Sequence, residues 1–295
     1  MTKTAWVFPG QGSQKVNMGA DLATIPAAQT KLEIAEKILG WSVLDICKGD
    51  EDTLSKTLYT QPCLYVIEAI LIDILIEKVG LPQLVAGHSL GEYLALYTAG
   101  VFDFESGLSL VKKRAELMEN STGGKMAALM KFDRDQLEEL LAQTEGVVLA
   151  NDNSEGQVVV SGEPAEVEKL MSEIKAKRKV ELNVSGAFHS PLMAEASTQF
   201  QSILDQVTFR EARIPVLSNV NPSPTCNSGE LKQRLSAQMT GSVRWREIMD
   251  YFSKNSVEQV IEVGPGKVLT GLMKRACKGV ELLNIGTTEQ LEVLS

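Results

Sequence analysis

Apolar and polar positions along this chain follow two rhythms in turn. The opening run "TAWVFP" is a short apolar block that reads as a strand, broken at Pro9 and Gly10 by the glycine-rich loop "GQGSQ". From about Ala27 to Leu39 the apolar residues recur at helical spacing. "TQPCLYVIEAILIDILIEKVG" is apolar nearly all round, which predicts a helix buried in the main core, with Thr60 as its N-cap, Pro62 in its first turn and Gly80 just past its end. "LPQLVAG" then reads as a buried strand and "LGEYLALYTAG" as a helix stopped at Gly100. Strand, helix, strand, helix predicts a parallel sheet with helices on its faces.

The middle of the chain changes rhythm. Strand "KMAALMKF", helix "DRDQLEELLAQ", strands "GVVLANDN" and "QVVVSGE", helix "PAEVEKLMSEIKAK" and strand "RKVELNV" give the order βαββαβ, that of a ferredoxin-like unit. Beyond it come a helix around residues 192–207, a strand "IPVLSNV", a helix through "LKQRLSAQM", a late strand "VEQVIEVGPG" and a helix "VLTGLMKRAC". The expected fold is therefore α/β: an α/β-hydrolase-like parallel-sheet core made of residues 1–123 and 187–295, interrupted by a ferredoxin-like subdomain over 124–186.

Composition narrows what such a fold would do. With 295 residues and 44% apolar content the chain can fill a substantial core. Its net charge of −9 supplies no basic field for nucleic acid or anionic lipid, so neither is expected as a partner. The apolar stretch near the start is too short for a signal-peptide core and no later run matches a membrane span, which makes a cytoplasmic protein the expectation. Cys47, Cys63, Cys226 and Cys277 lie far apart without a CxxC pair, so neither a zinc site nor a disulfide framework is indicated.

The candidate chemistry centres on "LVAGHSLGEYLA". Gly87, Ser89 and Gly91 fit G-x-S-x-G between a strand and a helix, the setting in which a serine sits on a tight turn with its Oγ exposed beside a helix N-terminus. A serine nucleophile needs a base, and the chain has two histidines. His88 adjoins the serine on a sharp turn, where neighbouring side chains diverge, and is expected to pack beside the elbow. That leaves His189, in "NVSGAFHSPLM". "GPGKVLTG" lacks the spacing of a phosphate loop and reads as a turn before a helix. The charges of "VKKRAELM" read as a solvated helix face, with nothing in the pattern to set Arg114 apart from Lys112 and Lys113.

"FPGQGSQ", "TQPCLY", "GHSLGEY", the arginine of "LVKKRAELM", "GAFHSPLM" and "VIEVGPGKVLTGL" occur in an order that resembles the malonyl-CoA:acyl carrier protein transacylases of fatty acid synthesis, over Phe8 to about Leu272. The resemblance implies that Ser89 is the nucleophile and His189 the base. It puts the oxyanion-binding N–H groups on Gln11 and Leu90, the substrate-carboxylate receptor on Arg114, and the backbone carbonyl that orients the histidine on Arg244 in "SVRW". It implies malonyl-CoA and acyl carrier protein as substrates, no metal or other cofactor, a monomer, and a malonyl preference hinted at by Leu90 and Phe188. Carrier docking would need a local basic patch, either Lys177, Arg178 and Lys179 or Lys274, Arg275 and Lys278. Two alternatives stay open: a serine thioesterase or esterase, and a catalytically silent scaffold subunit.

Overall fold

Two sheets organise the chain in the computed structural model, which describes residues 2–292. The first part runs β1 (Thr4–Phe8), α1 (Pro26–Leu39), α2 (Val43–Lys48), α3 (Glu51–Ser55), α4 (Thr57–Val79), β2 (Leu84–Gly87), α5 (Gly91–Thr98) and α6 (Phe104–Glu119). A second unit follows: β3 (Lys125–Phe132), α7 (Arg134–Gln143), β4 (Val147–Ser154), β5 (Gln157–Gly162), α8 (Pro164–Glu173) and β6 (Ala176–Glu181). The remainder is α9 (Ala194–Leu204), β7 (Val216–Leu217), α10 (Ser228–Ala237), α11 (Trp245–Lys254), β8 (Gln259–Val263), α12 (Val268–Ala276), β9 (Glu281–Ile285) and α13 (Thr288–Glu292).

The first sheet has five parallel strands in the order β7-β2-β1-β8-β9. Alternate residues of its strands serve opposite faces. Trp6, Phe8, Val85, Ile261 and Val263 pack towards α4, α5 and α6, while Ala5, Val7, Ala86 and Val260 pack towards Trp245, Ile248 and Phe252 of α11 and Leu269 and Met273 of α12. A parallel sheet covered on both faces reads as continuous apolar runs, which is why "LVAG" showed no alternation. The second sheet is antiparallel, in the order β4-β5-β3-β6, with α7 and α8 over one face. Its β4 edge is sealed against the first unit: the Val243 N–H donates to the Ala150 carbonyl at 2.8 Å and the Asp152 N–H to the Val243 carbonyl at 2.9 Å. Asp152 then ties Arg134 of the second unit (3.0 Å) to Arg246 of α11 (2.9 Å). No helix among the described residues is long and apolar enough to cross a membrane.

Local expectations need correction in two places. Thr60 is not the N-cap of α4, which begins at Thr57 with Lys56 as cap. Pro62 therefore lies inside the helix, with no N–H to give the Leu58 carbonyl, and the Thr60 hydroxyl donates instead to the carbonyls of Leu54 (2.5 Å) and Lys56 (3.0 Å). The strand expected over "IPVLSNV" pairs only at Val216 and Leu217, because the chain leaves the sheet edge at Ser218 and the Asn219 N–H donates to the Glu92 carboxylate.

Within α4, Glu68 is fully buried and its carboxyl oxygens have no hydrogen-bond partner among the described residues. Burial, reinforced by the nearby Glu262 carboxylate, holds its pKa well above the ordinary 4.5. A carboxyl with a raised folded pKa contributes stability that is present below 4.5 and lost as pH rises towards the folded value. Glu68→Gln should therefore flatten the fall in melting temperature from pH 5 upward. Parallel curves for the two proteins would show that Glu68 carries no such dependence.

Candidate active site

The turn between β2 and α5 is built by close packing. Ser89 adopts φ 51°, a left-handed conformation that costs a non-glycine residue about 1–2 kcal/mol. A Cβ at Gly87 would overlap the backbone of Gly91, and one at Gly91 would overlap the Phe8 carbonyl, so each position admits only glycine. Gly91→Ala is expected to destabilise the fold by about 1–3 kcal/mol and to slow acylation of Ser89 with it; an unchanged melting temperature would show that the turn has room.

Asn219 clamps this turn. Its Oδ1 accepts from the Ser89 N–H at 2.7 Å and its Nδ2 donates to the Gly87 carbonyl at 2.5 Å. Its own N–H donates to Glu92 Oε2 at 3.1 Å, and Gln238 Nε2 donates both to that oxygen (2.7 Å) and to the Ser89 carbonyl (2.9 Å). Asn219, Glu92 and Gln238 are all fully buried. Since the Ser89 N–H is committed to Asn219, it is not available to an incoming oxyanion. The Gln11 and Leu90 N–H groups make no hydrogen bond among the described residues. The loop carrying Gln11 presses on the turn, with a Cβ built on Gly10 falling 2.5 Å from the His88 carbonyl and 3.5 Å from the Leu90 nitrogen.

Ser89 Oγ lies 2.8 Å from His189 Nε2. The other ring nitrogen, Nδ1, lies 2.9 Å from the Gln238 carbonyl and 3.2 Å from the Gly241 carbonyl. Carbonyls only accept, so the ring proton sits on Nδ1 and Nε2 is free to take the serine proton. Burial, and then the charge of Arg114, push the His189 pKa down to about 3, so the imidazole is neutral and able to act as a base. The assignment of the orienting carbonyl to Arg244 is overturned. Arg244 caps α11, so its carbonyl accepts from the Ile248 N–H, and its guanidinium pairs with Glu247. His88 faces elsewhere, with Nε2 at 2.7 Å from Asn153 Oδ1 and its ring 5.6 Å from that of Trp245.

Arg114 does not belong to a solvated face. Lys112 and Lys113 remain partly exposed, but the turn of α6 carries Arg114 inward to full burial. Its Nη1 donates to Gln61 Oε1 (2.8 Å), its Nη2 to Ser89 Oγ (2.9 Å) and Gln238 Oε1 (3.1 Å), and its guanidinium carbon lies 5.5 Å from the Tyr93 ring centre. Hydroxyl, imidazole and guanidinium thus meet at one oxygen.

The model of the acyl transferase domain family matches residues 5–289. The chain belongs to the acyl transferase family. This acyltransferase is 58% identical over 292 residues to the malonyl CoA-acyl carrier protein transacylase of a Synechocystis strain, covering 99% of this chain and all of that one. The crystal structure of a Synechocystis malonyl-CoA:ACP transacylase superposes with a TM-score of 0.97 at 57% identity, over 99% of each chain. A malonyl-transacylase solved in complex with its type II polyketide acyl carrier protein has a TM-score of 0.93 at 35% identity, again over 99% of each chain.

The residues themselves pointed to Ser89 and His189, and the family resemblance to Gln11, Leu90 and Arg114; the acyltransferase fold brings all of them to the carboxyl ends of β1 and β2 or against Ser89. It missed Gln61, Glu92, Asn219 and Gln238. The available signal was polarity out of place: Gln61 and Glu92 are polar side chains at buried positions of helices that are mostly apolar.

Proposed function

We propose that this acyltransferase moves the malonyl group of malonyl-CoA to the phosphopantetheine thiol of an acyl carrier protein through a malonyl ester of Ser89. The observation that carries this reading is the meeting of His189 Nε2 and Arg114 Nη2 at Ser89 Oγ, at 2.8 and 2.9 Å. A base beside the nucleophile serves any acyl transfer, whereas a buried guanidinium one hydrogen bond away serves an acyl group that bears a carboxylate.

In the first step Ser89 Oγ bonds to the thioester carbon while its proton passes to His189 Nε2. The resulting oxyanion is held by the Gln11 and Leu90 N–H groups. Collapse breaks the carbon–sulfur bond, and His189 returns the proton to the CoA sulfur. In the second step the carrier thiol gives its proton to His189, its sulfur bonds to the ester carbon, and Ser89 leaves with the proton restored. His189 needs no carboxylate behind it, because the Gln238 and Gly241 carbonyls orient the ring and share the positive charge it gains. The reading is tested by intact mass after mixing with malonyl-CoA and then carrier protein: a malonyl adduct of Ser89 that transfers to the carrier supports it, predominantly free malonate marks a hydrolase, and no adduct marks a silent scaffold.

Topology favours one of the two basic clusters for carrier docking. Ser89 and Gln11 follow the carboxyl ends of their strands, while α12 runs back from that edge and carries Lys274 and Arg275 in its last turn, at the far side of the sheet. Lys177 and Arg178 are exposed on β6, and Arg178 shares a sheet face with Met130, which packs against the main core. Reversing the charges of Lys177 and Arg178 should weaken transfer to carrier protein and reduce its salt dependence, with acylation by malonyl-CoA the control. The same reversal at Lys274 and Arg275 should change neither; the opposite ranking would move the docking surface to α12.

A further inference from the structure

Arg114 grips the nucleophile. Its hydrogen-bonded oxygens among the described residues, Gln61 Oε1, Ser89 Oγ and Gln238 Oε1, are neutral, so among those residues its charge is buried without a directly bound carboxylate. Both Nη2 protons are committed, one to Ser89 Oγ and one to Gln238 Oε1. A guanidinium receives a carboxylate through one of two forks, Nη1 with Nη2 or Nε with Nη2, and both forks need an Nη2 proton. One partner must therefore yield. Gln238 is fixed by its own bonds to the Ser89 carbonyl and Glu92, whereas Ser89 is partly exposed and its Oγ has to leave for the thioester carbon in any case.

We propose that the Arg114–Ser89 contact is a restraint on the nucleophile that a carboxylate releases, so that a small free carboxylate anion switches on acylation by a thioester that carries none. The proposal rests on the reading of Arg114 as the carboxylate receptor and adds a second task to it. While Nη2 donates to Oγ, one serine lone pair is tied down and the hydroxyl is a poorer nucleophile. A carboxylate that takes over Nη2 frees that lone pair. It also neutralises the charge that, after burial, keeps His189 a weak base. Acetyl-CoA is then a poor substrate for two reasons: it lacks an anchor, and it leaves the serine restrained. Acetyl-CoA with formate reconstitutes the malonyl group in two pieces. The acetyl carbon bonds to Oγ, the CoA sulfur leaves with the serine proton delivered by His189, and formate is not consumed.

The test follows the acetyl adduct of Ser89 by time-resolved intact mass in the wild-type protein with acetyl-CoA and rising sodium formate. Sodium chloride at equal ionic strength and formamide, the neutral isostere, serve as controls, and malonyl-CoA is run in parallel. Formate should raise the acetylation rate saturably by at least about tenfold, the scale of one hydrogen bond from a charged donor, and neither control should do so. Arg114→Ala and the bulkier Arg114→Met, each with its fold checked by circular dichroism, should acetylate independently of formate. Formate that leaves acetylation unchanged or slows it, beside brisk acylation by malonyl-CoA, overturns the restraint alone. The same result with no acylation by malonyl-CoA overturns the proposed function with it.

Discussion

His189→Ala should lower the rate of Ser89 acylation by roughly two orders of magnitude or more, because a neutral hydroxyl without a positioned acceptor is a weak nucleophile. The variant removes the only group among the described residues placed to take the Oγ proton, at 2.8 Å, and takes the ring donor from the Gln238 and Gly241 carbonyls. His189 has φ 58°, so alanine adds backbone strain of its own. His189→Asn, a residue that tolerates this conformation, separates lost chemistry from lost fold. His88→Ala should act through the elbow and its bond to Asn153, with a smaller loss of rate. A larger loss for His88→Ala in a folded protein would reverse the assignment. The same histidine sets a pH dependence. With its folded pKa lowered from 6.5 to about 3, it contributes stability that is present above pH 6.5 and lost as pH falls towards 3. The acid limb of the acylation rate in the free enzyme should accordingly lie well below pH 6.5.

Arg114→Ala should cost transfer from malonyl-CoA about two to three orders of magnitude while transfer from acetyl-CoA holds or rises. Removing one partner of a buried charge pair typically costs about 3–5 kcal/mol, and about 1.4 kcal/mol is tenfold. Malonyl-CoA differs from acetyl-CoA by the carboxylate that would form that pair, so the loss should be specific to it. The Gln61 and Gln238 amides lose a donor in either case, which affects both substrates alike. Arg114→Lys should rescue in part, as a point charge without the fork. Steady-state rates with each thioester decide the matter, and equal losses in a folded variant would make Arg114 a structural residue.

The elements legible in the sequence were those whose burial is written in a local pattern. The all-apolar α4, the glycine-fenced serine and the βαββαβ order follow from neighbours in the chain. The elements α2, α3, α11, β9 and α13 lie outside those predicted from the pattern. In α11 the Trp245, Ile248, Met249 and Phe252 stripe is interleaved with charged residues, and β9 is a short, partly exposed edge strand. The site was legible where a residue type announces a task, as Ser89 and His189 do. Arg114 was not, because the turn of a helix and not its charge decides that it faces inward beside two partly exposed lysines. The carbonyl behind His189 was misplaced to Arg244 for a related reason: every residue has a carbonyl, so its donor can be found only from the path of the chain. The clamp by Asn219 depends on a strand that ends after two residues, which no local pattern records.

The order β7-β2-β1-β8-β9 sets a timetable for a chain made from its N-terminus. The serine, Gln11 and Arg114 emerge within the first 114 residues, yet the Asn219 clamp, the two carbonyls behind His189 and the β8 neighbour of β1 arrive only between residues 219 and 263. A nascent chain on the ribosome therefore exposes its serine long before it owns a working base or a rigid turn. A product cut short before residue 219 lacks both the Asn219 clamp and the two carbonyls that orient His189.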